Sequence, residues 1–460
     1  MQVKTPIIPI NQTFAGVKAQ HSLNLEAICV FAAMGFFLDT DTYWKDQVVL
    51  KPASYNTLNN QNSLVNSESW FKWYYTPRVV SFNDAVEEFG HLFETIISEQ
   101  SKGHKVILPL SGGLDSRTQA VALRSINADV FSYGYHFENG YKETKIAKQI
   151  ANSCNFDFRP FTIPSGYLWD KLDKLSELNQ CYSDFTAPRQ MAIYDEFDTM
   201  GTKFNLGHWG DVLFDSMDLP QLSKEEELEI MQLKLLKKGG LELATNLWAV
   251  WGLSGDFKTY YKGRIEKLLD EIQIENTNAK LRAFKSLYWA PRWTSVNLSV
   301  FKAKHPIGLP YYDNRMCEFI CSIPEDYLKN RQIQIAYIKN KAPELAKITW
   351  QQMIPFNLNN YRLNKAPYNI PYKLANKVKR LLKEGIGKPH VLRNWELQFL
   401  GKSNQLGLDR TISMLKSNNC IPEDFINQTV VDFKLNPNPK TAHQLNMILA
   451  VLYQSNINND

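Results

Sequence analysis

The chain lacks the marks of several large protein classes. No apolar run approaches the ~20 residues of a membrane-spanning helix. The longest, AICVFAAMGFFL at 27–38, directly follows Glu26 and reads as a buried strand or short helix. The opening MQVKTPIIPINQ has neither the basic stretch nor the apolar core of a secretory signal. Cysteine is scarce: six in 460 residues (Cys29, Cys154, Cys181, Cys317, Cys321, Cys420), with no disulfide framework. Cys317 and Cys321 stand four apart in MCEFICS with no second pair to complete a metal site, so core packing is expected. The eight histidines show no metal-ligand spacing either. A cytoplasmic protein is expected.

Charge of one sign is also in short supply. Lys and Arg number 52 against 47 Asp and Glu, and a net charge of +5 gives no support to nucleic-acid binding. The hydrophobic share, 44%, is that of a chain with a packed core rather than a disordered one. No internal repeat and no long low-complexity tract is visible.

Residues 1–80 carry short apolar runs broken by polar stretches such as YNTLNNQNSLVNSES, which suggests small strands and turns. From Ser81 the spacing of Phe82, Val86, Phe89, Phe93 and Ile96/Ile97 predicts a helix, with Ser81 as its cap. A strand at 105–110, a helix at 117–126, a strand at 128–135, a helix at 142–153 and a strand at 159–163 follow. That alternation predicts an α/β fold: a parallel sheet with helices on both faces. A further strand, TKFNL at 202–206, ends at the turn GHWGD. Beyond 220 helices dominate. Ser223 and Glu226 form a capping box, and Gly239-Gly240 is expected to end the helix they open. Helical patterns continue at 315–345, 370–384 and 440–455. The expected division is a β-rich region (1–80), a nucleotide-binding domain (81–355) and a helical region (356–460). In the last, YKLANKVKRLLKE (372–384) is basic and amphipathic. It could touch a membrane surface or an anionic partner, but a packed helix with a solvated face is the expectation.

The informative stretch is VILPLSGGLDSRTQAVAL, 106–123. A buried strand that leaves through Ser111-Gly112-Gly113 aims successive backbone N–H groups at one point. The following helix adds its positive dipole end there. Glycines let that backbone approach an anion closely. Asp115 inside such a cradle is intelligible if Mg²⁺ bridges the carboxylate to phosphate oxygens. The plain alternative is a glycine turn closed by an Asp/Ser helix cap. No GK[ST] follows, so this is not a Walker loop. The SGGxDS form resembles the PP-loop of ATP pyrophosphatases, which cleave ATP between the α- and β-phosphates.

A second motif, GHWGDVLF (207–214), is similar to the GEGSDELF motif of the asparagine synthetase family. Upstream, DTDTYW, LKPASYNT and WYYTPR, then the SFNDAVEEF helix, resemble the end of that family's glutaminase domain and its link to the synthetase domain. LPYYDNRMCEFICSIPEDYL (309–328) resembles its PFLD…lP segment. The resemblance spans roughly residues 20–355. It implies an adenine nucleotide alpha-hydrolase-like fold with ATP and Mg²⁺ as ligands. Ser111, Gly112, Gly113, Asp115 and Ser116 match the pyrophosphate loop, and Asp115 and Asp211 match the Mg²⁺ carboxylates. Leu110, Tyr133 and Gly207 fall where the family packs the adenine. Glu143 aligns with the acidic residue that opens the next helix.

The departures are specific. Gln2 stands where a family glutaminase has its nucleophilic cysteine, so glutamine hydrolysis is not expected. His208 and Trp209 replace Glu-Gly, and Arg117 replaces a serine after SGGLDS. Gln351 and Met353, in ITWQQMIPF, stand where the family has Arg-x-Lys. Lys339 and Lys341 are candidate substitutes for that lysine, although a solvated helix face is the better reading. His208 is the one histidine in a site motif, a candidate general base toward an amine or a filler of the missing glutamate's space.

The resemblance therefore implies an ATP-dependent, AMP-forming ligase. Asp115, Asp211 and His208 are its expected catalytic residues. Its expected partners are a small-molecule carboxylate and ammonia or an amine, with a separate amidotransferase or pathway partner as nitrogen source. Neither a nucleic acid nor a membrane span is expected. The alternatives are a catalytically degenerate nucleotide-binding protein and another adenylating PP-loop enzyme such as a sulfur transferase.

Overall fold

The computed structural model describes residues 1–18, 22–138, 140, 142–386, 396–415 and 420–457. Its organising element is a five-stranded parallel sheet with Val106–Pro109 at the centre. Val130–Phe137 and then Asp157–Ile163 lie on one side; Lys203–Asn205 and then Ile307–Gly308 lie on the other. Val106, Ile107 and Leu108 are all buried, as an uninterrupted apolar run should be in a parallel sheet covered on both faces. The two-residue strand Ile307–Gly308 was too short to leave a pattern in the sequence.

The chain winds outward from the centre in one direction, then crosses the centre and continues in the other. The reversal lies between Val106–Pro109 and Lys203–Asn205. Open α/β sheets place their ligands at such a point, outside the carboxyl ends of the strands. SGGLDS follows the first of these strands and GHWGD the second. The fold therefore brings together two motifs separated by about ninety residues of chain.

The helix Phe82–Ser101 begins as expected, with the backbone N–H of Asp84 donating to Ser81 Oγ at 3.2 Å. It buries Val86, Phe89, Phe93, Ile96 and Ile97. In the first 80 residues, Gln2–Lys4, Ser54–Leu58 and Leu64–Ser69 form an antiparallel sheet, and Phe14–Gly16 pairs with Gln47–Val49. The apolar run is a helix, Leu25–Met34, buried on every side from Ala27 onward and packed against the helices Gly240–Val250 and Pro439–Ile457. One hydrophobic core runs from Ile7 through the sheet to Tyr453. No helix among the described residues is long and apolar enough to cross a membrane.

Three expectations change. The capping box holds, with Ser223 N donating to Glu226 Oε2 at 2.8 Å, but its helix ends at Leu235. Gly239-Gly240 instead opens the helix Gly240–Val250, where a Cβ on Gly240 would lie 2.1 Å from the Ala33 carbonyl oxygen. The 315–345 pattern is broken into Asn314–Cys321, Glu325–Leu328 and Gln332–Lys341. The helix Ile370–Gly385 is not packed as expected: Leu374, Val378, Leu381 and Leu382 are each more than half exposed.

Candidate functional site

A cleft of about 840 Å³ opens at the topological reversal, within the ~300–1,000 Å³ usual for small-molecule sites. Leu110, Ser111, Asp115 and Ser116 line it from the first loop, with Tyr133 beside them. Gly207, His208 and Asp211 line it from the second loop, and Glu143 stands at the next helix start. Gly112 and Gly113 shape the first loop without lining the cleft.

That loop is tied to itself. Ser111 N donates to Ser116 Oγ at 3.1 Å, Gly113 N donates to Ser111 Oγ at 3.1 Å, and the two hydroxyls are 3.0 Å apart. Gly113 precedes the helix Leu114–Ser125 with no side chain capping it. The helix start, with its unsatisfied amides and positive dipole end, therefore remains available to an anion. Gly112 is needed for packing. A Cβ there would fall 2.9 Å from the Gln351 side chain, whose own backbone N–H donates to Gly112 O at 3.1 Å. Gln351 Nε2 is buried without an acceptor.

Asp115 is held from one side. Arg331 and Gln334 both donate to its Oδ1, Gln334 at 3.2 Å. Burial pushes the Asp115 carboxyl above its ordinary range, the Arg331 charge opposes that shift, and nearby Asp211 adds to it. Gly210 leaves room for this carboxylate, since a Cβ would lie 2.2 Å from Oδ1. Asp211 is exposed to the cleft, and its side chain makes no ion pair or hydrogen bond among the described residues. Among the described residues no three His, Cys, Asp or Glu side chains form a metal cluster. Magnesium commonly takes one or two carboxylates and completes its shell with phosphate and water oxygens. The unpaired Asp211 and the side of Asp115 away from Arg331 fit that donor set.

The second loop carries strain. Trp209 sits at φ +78°, a left-handed conformation unusual for a bulky residue. It is buried, and its indole N–H donates to Ser286 Oγ at 3.1 Å. A tertiary bond thus fixes a turn that glycine would make freely. His208 Nδ1 is buried without a partner, and burial pushes the imidazole down to about 4 against the opposing pull of Asp211. The ring is neutral at neutral pH. Tyr133 is fully buried against Phe161 and Phe197, and its carbonyl accepts from Leu110 N at 2.7 Å.

Arg117 does not face the cleft. It is 0% exposed, and its guanidinium donates to the carbonyls of Leu345, Ile348, Thr349 and Gly112 at 2.8–3.4 Å. It bolts the segment leading to Gln351 onto the first loop. Lys339 and Lys341 do not line the cleft, and Lys341 pairs with Glu94 at 3.2 Å on the surface. The cations that do enter are Arg189, Lys234 and Lys285, the last with Trp289 and Trp293 on the same stretch. The spacing of Lys285, Trp289 and Trp293 at i, i+4 and i+8 is legible in KSLYWAPRWT, but a proline such as Pro291 ordinarily breaks a helix.

No known protein family matches the chain, and no curated protein matches it in sequence. Among solved structures it is similar to NMN synthetase from Francisella tularensis, at 15% identity over 45% of this chain and 92% of that one, TM-score 0.23. It is also similar to the U34-tRNA thiolase NcsA from Methanococcus maripaludis, at 12% identity over 67% of this chain and 87% of that one, TM-score 0.24. Likenesses this slight do not decide what the chain does.

Proposed function

We propose that the chain is an ATP-dependent, AMP-forming ligase of the asparagine synthetase type, which adenylates a carboxylate and transfers the acyl group to ammonia or an amine. The observation that carries this reading is the meeting of SGGLDS and GHWGD, with Asp115 and Asp211, in one cleft at the sheet's reversal. In the first step a carboxylate oxygen attacks the α-phosphorus of ATP. The bond from that phosphorus to the α,β-bridging oxygen breaks, and pyrophosphate leaves. The Ser111–Ser116 loop and the start of the helix Leu114–Ser125 receive the pyrophosphate. Leu110, Tyr133 and Gly207 border the adenine. Asp115 and Asp211 would hold Mg²⁺, which when bound neutralises charge on the phosphate oxygens.

In the second step the amine nitrogen attacks the acyl carbon, and the bond to AMP breaks. The protonated adduct is far more acidic than a free ammonium ion. A neutral imidazole with a lowered pKa, such as His208, can therefore accept its proton. The nitrogen comes from ammonia, an amine or a partner amidotransferase. Cys29 supports this, because burial raises its pKa and leaves it a poor nucleophile.

Two observations favour a second reading, a nucleotide-binding protein without turnover: Arg331 already neutralises Asp115, and Met353 stands where the family has its catalytic lysine. Incubation with ATP, Mg²⁺ and a panel of carboxylates separates the readings. AMP and pyrophosphate mark the ligase, unchanged ATP with measurable binding marks the degenerate protein, and a persulfide requirement marks a sulfur transferase.

A further inference from the structure

Across the cleft from the sheet, Lys285–Thr294 winds as a π-helix that continues directly from the helix Thr277–Phe284. Its i→i+5 hydrogen bonding is rare in proteins and is frequently found at functional sites. This stretch presents Lys285, Trp289 and Trp293 to the cleft, where Phe301 and Met217 join them. The Trp209–Ser286 hydrogen bond ties the stretch to the second loop.

Lys285 is out of place as a structural residue. The buried cations among the described residues are Arg117, Lys280, Arg282, Lys285, Arg292 and Arg331. Lys280 pairs with Glu227, Arg282 with Glu325 and Arg331 with Asp115. Arg117 and Arg292 bond to backbone carbonyls. Lys285 alone meets no oxygen: its ammonium contacts the Met217 sulfur at 3.6 Å. A buried ammonium without a counter-charge is costly, and it gives up its proton readily unless something supplies one. Because Lys285 lines the cleft, a ligand can supply it. The indole N–H groups of Trp289 and Trp293 are likewise buried without acceptors. This wall therefore offers one buried ammonium, with the exposed Lys234 near enough to act on its charge, and two indole rings.

We infer that this wall binds an aromatic carboxylate, its carboxylate paired with Lys285 and its ring against Trp289 and Trp293. One charge and two oxygens match a carboxylate. A phosphate monoester would bring a second negative charge toward Asp211 and Asp215, which line the same cleft. The inference rests on the adenylation reading only in making this acid the acyl substrate.

The test is calorimetric titration of the full chain with 4-hydroxybenzoate and indole-3-acetate against aspartate and succinate, with and without α,β-methylene-ATP. The aromatic acids should bind more tightly than the aliphatic ones. Lys285→Met should weaken them roughly 30-fold, as truncating one partner of a buried charge pair does, while raising the melting temperature of the unliganded protein. Trp289→Leu/Trp293→Leu should weaken aromatic acids and leave the preference gone. Tighter binding of aspartate or succinate, or aromatic binding untouched by Lys285→Met, would overturn the inference. Aromatic binding without AMP formation in the presence of ATP would uphold the wall and sink the adenylation reading. AMP formation with aliphatic acids alone would do the reverse.

Discussion

Arg331 and Asp115 form an ion pair at the mouth of the sheet, and the arginine reaches it from a left-handed backbone at φ +61°, directly after Asn330 at +54°. Arg331 is almost wholly buried. The carboxylate assigned to phosphate chemistry is thus also one half of a structural pair, whereas the Asp211 side chain has no ion-pair or hydrogen-bond partner among the described residues.

The two aspartates should therefore fail differently. Asp115→Ala leaves a buried guanidinium uncompensated and should cost roughly 3 kcal/mol of stability as well as turnover. Asp211→Ala should abolish pyrophosphate release while leaving the urea midpoint within about 0.5 kcal/mol of wild type. Equal stability losses in both variants would contradict this division.

Arg117→Met should loosen the segment that covers the first loop. Four backbone carbonyls lose a donor, and leaving buried acceptors unsatisfied should cost roughly 3 kcal/mol. Hydrogen exchange should quicken at 345–351 more than elsewhere. Uniform protection across the chain would show that Arg117 is not the bolt.

Lys285 gives a pH signature with a defined sign. Burial pushes its ammonium down to about 7 from an ordinary 10.5. Between those values the unfolded chain binds the proton and the folded chain does not, so stability rises with pH across that window. The excess stability of Lys285→Met over wild type should be largest below pH 7 and shrink toward pH 10.5. Urea unfolding of both proteins at pH 6.5 and 9 reads this; a gap that does not narrow would contradict the burial of an unpaired charge.

The sheet and both loops were legible because each rests on a local pattern: an apolar run, a turn of glycines, a cap. Val106–Pro109, Leu114–Ser125 and Lys203–Asn205 lie within a few residues of their expected positions. What escaped depends on partners distant in sequence. Gly240 reads as a stop signal until the Ala33 carbonyl is seen against it. Arg331 is an ordinary arginine until a left-handed turn delivers it to Asp115. Lys285, Trp289 and Trp293 share a face only because the chain tolerates Pro291 inside a widened helix.

The nitrogen source can be tested through the cysteines. Cys29, Cys154, Cys181, Cys317 and Cys321 are buried, and burial raises the pKa of each thiol. Amide formation should proceed with an ammonium salt or an amine and survive a glutamine-directed alkylating analogue. Conversion of glutamine to glutamate by the pure protein, with ATP and acid present, would defeat this expectation.

The central claim is cleavage of ATP between its α- and β-phosphates in the cleft shared by Asp115 and Asp211. Chromatography of the nucleotide products, with ATP, Mg²⁺, an aromatic acid and ammonium present, measures it directly. AMP with stoichiometric pyrophosphate, lost in Asp211→Asn, is the predicted result. ADP with orthophosphate, or AMP formed equally fast by Asp211→Asn, would contradict it.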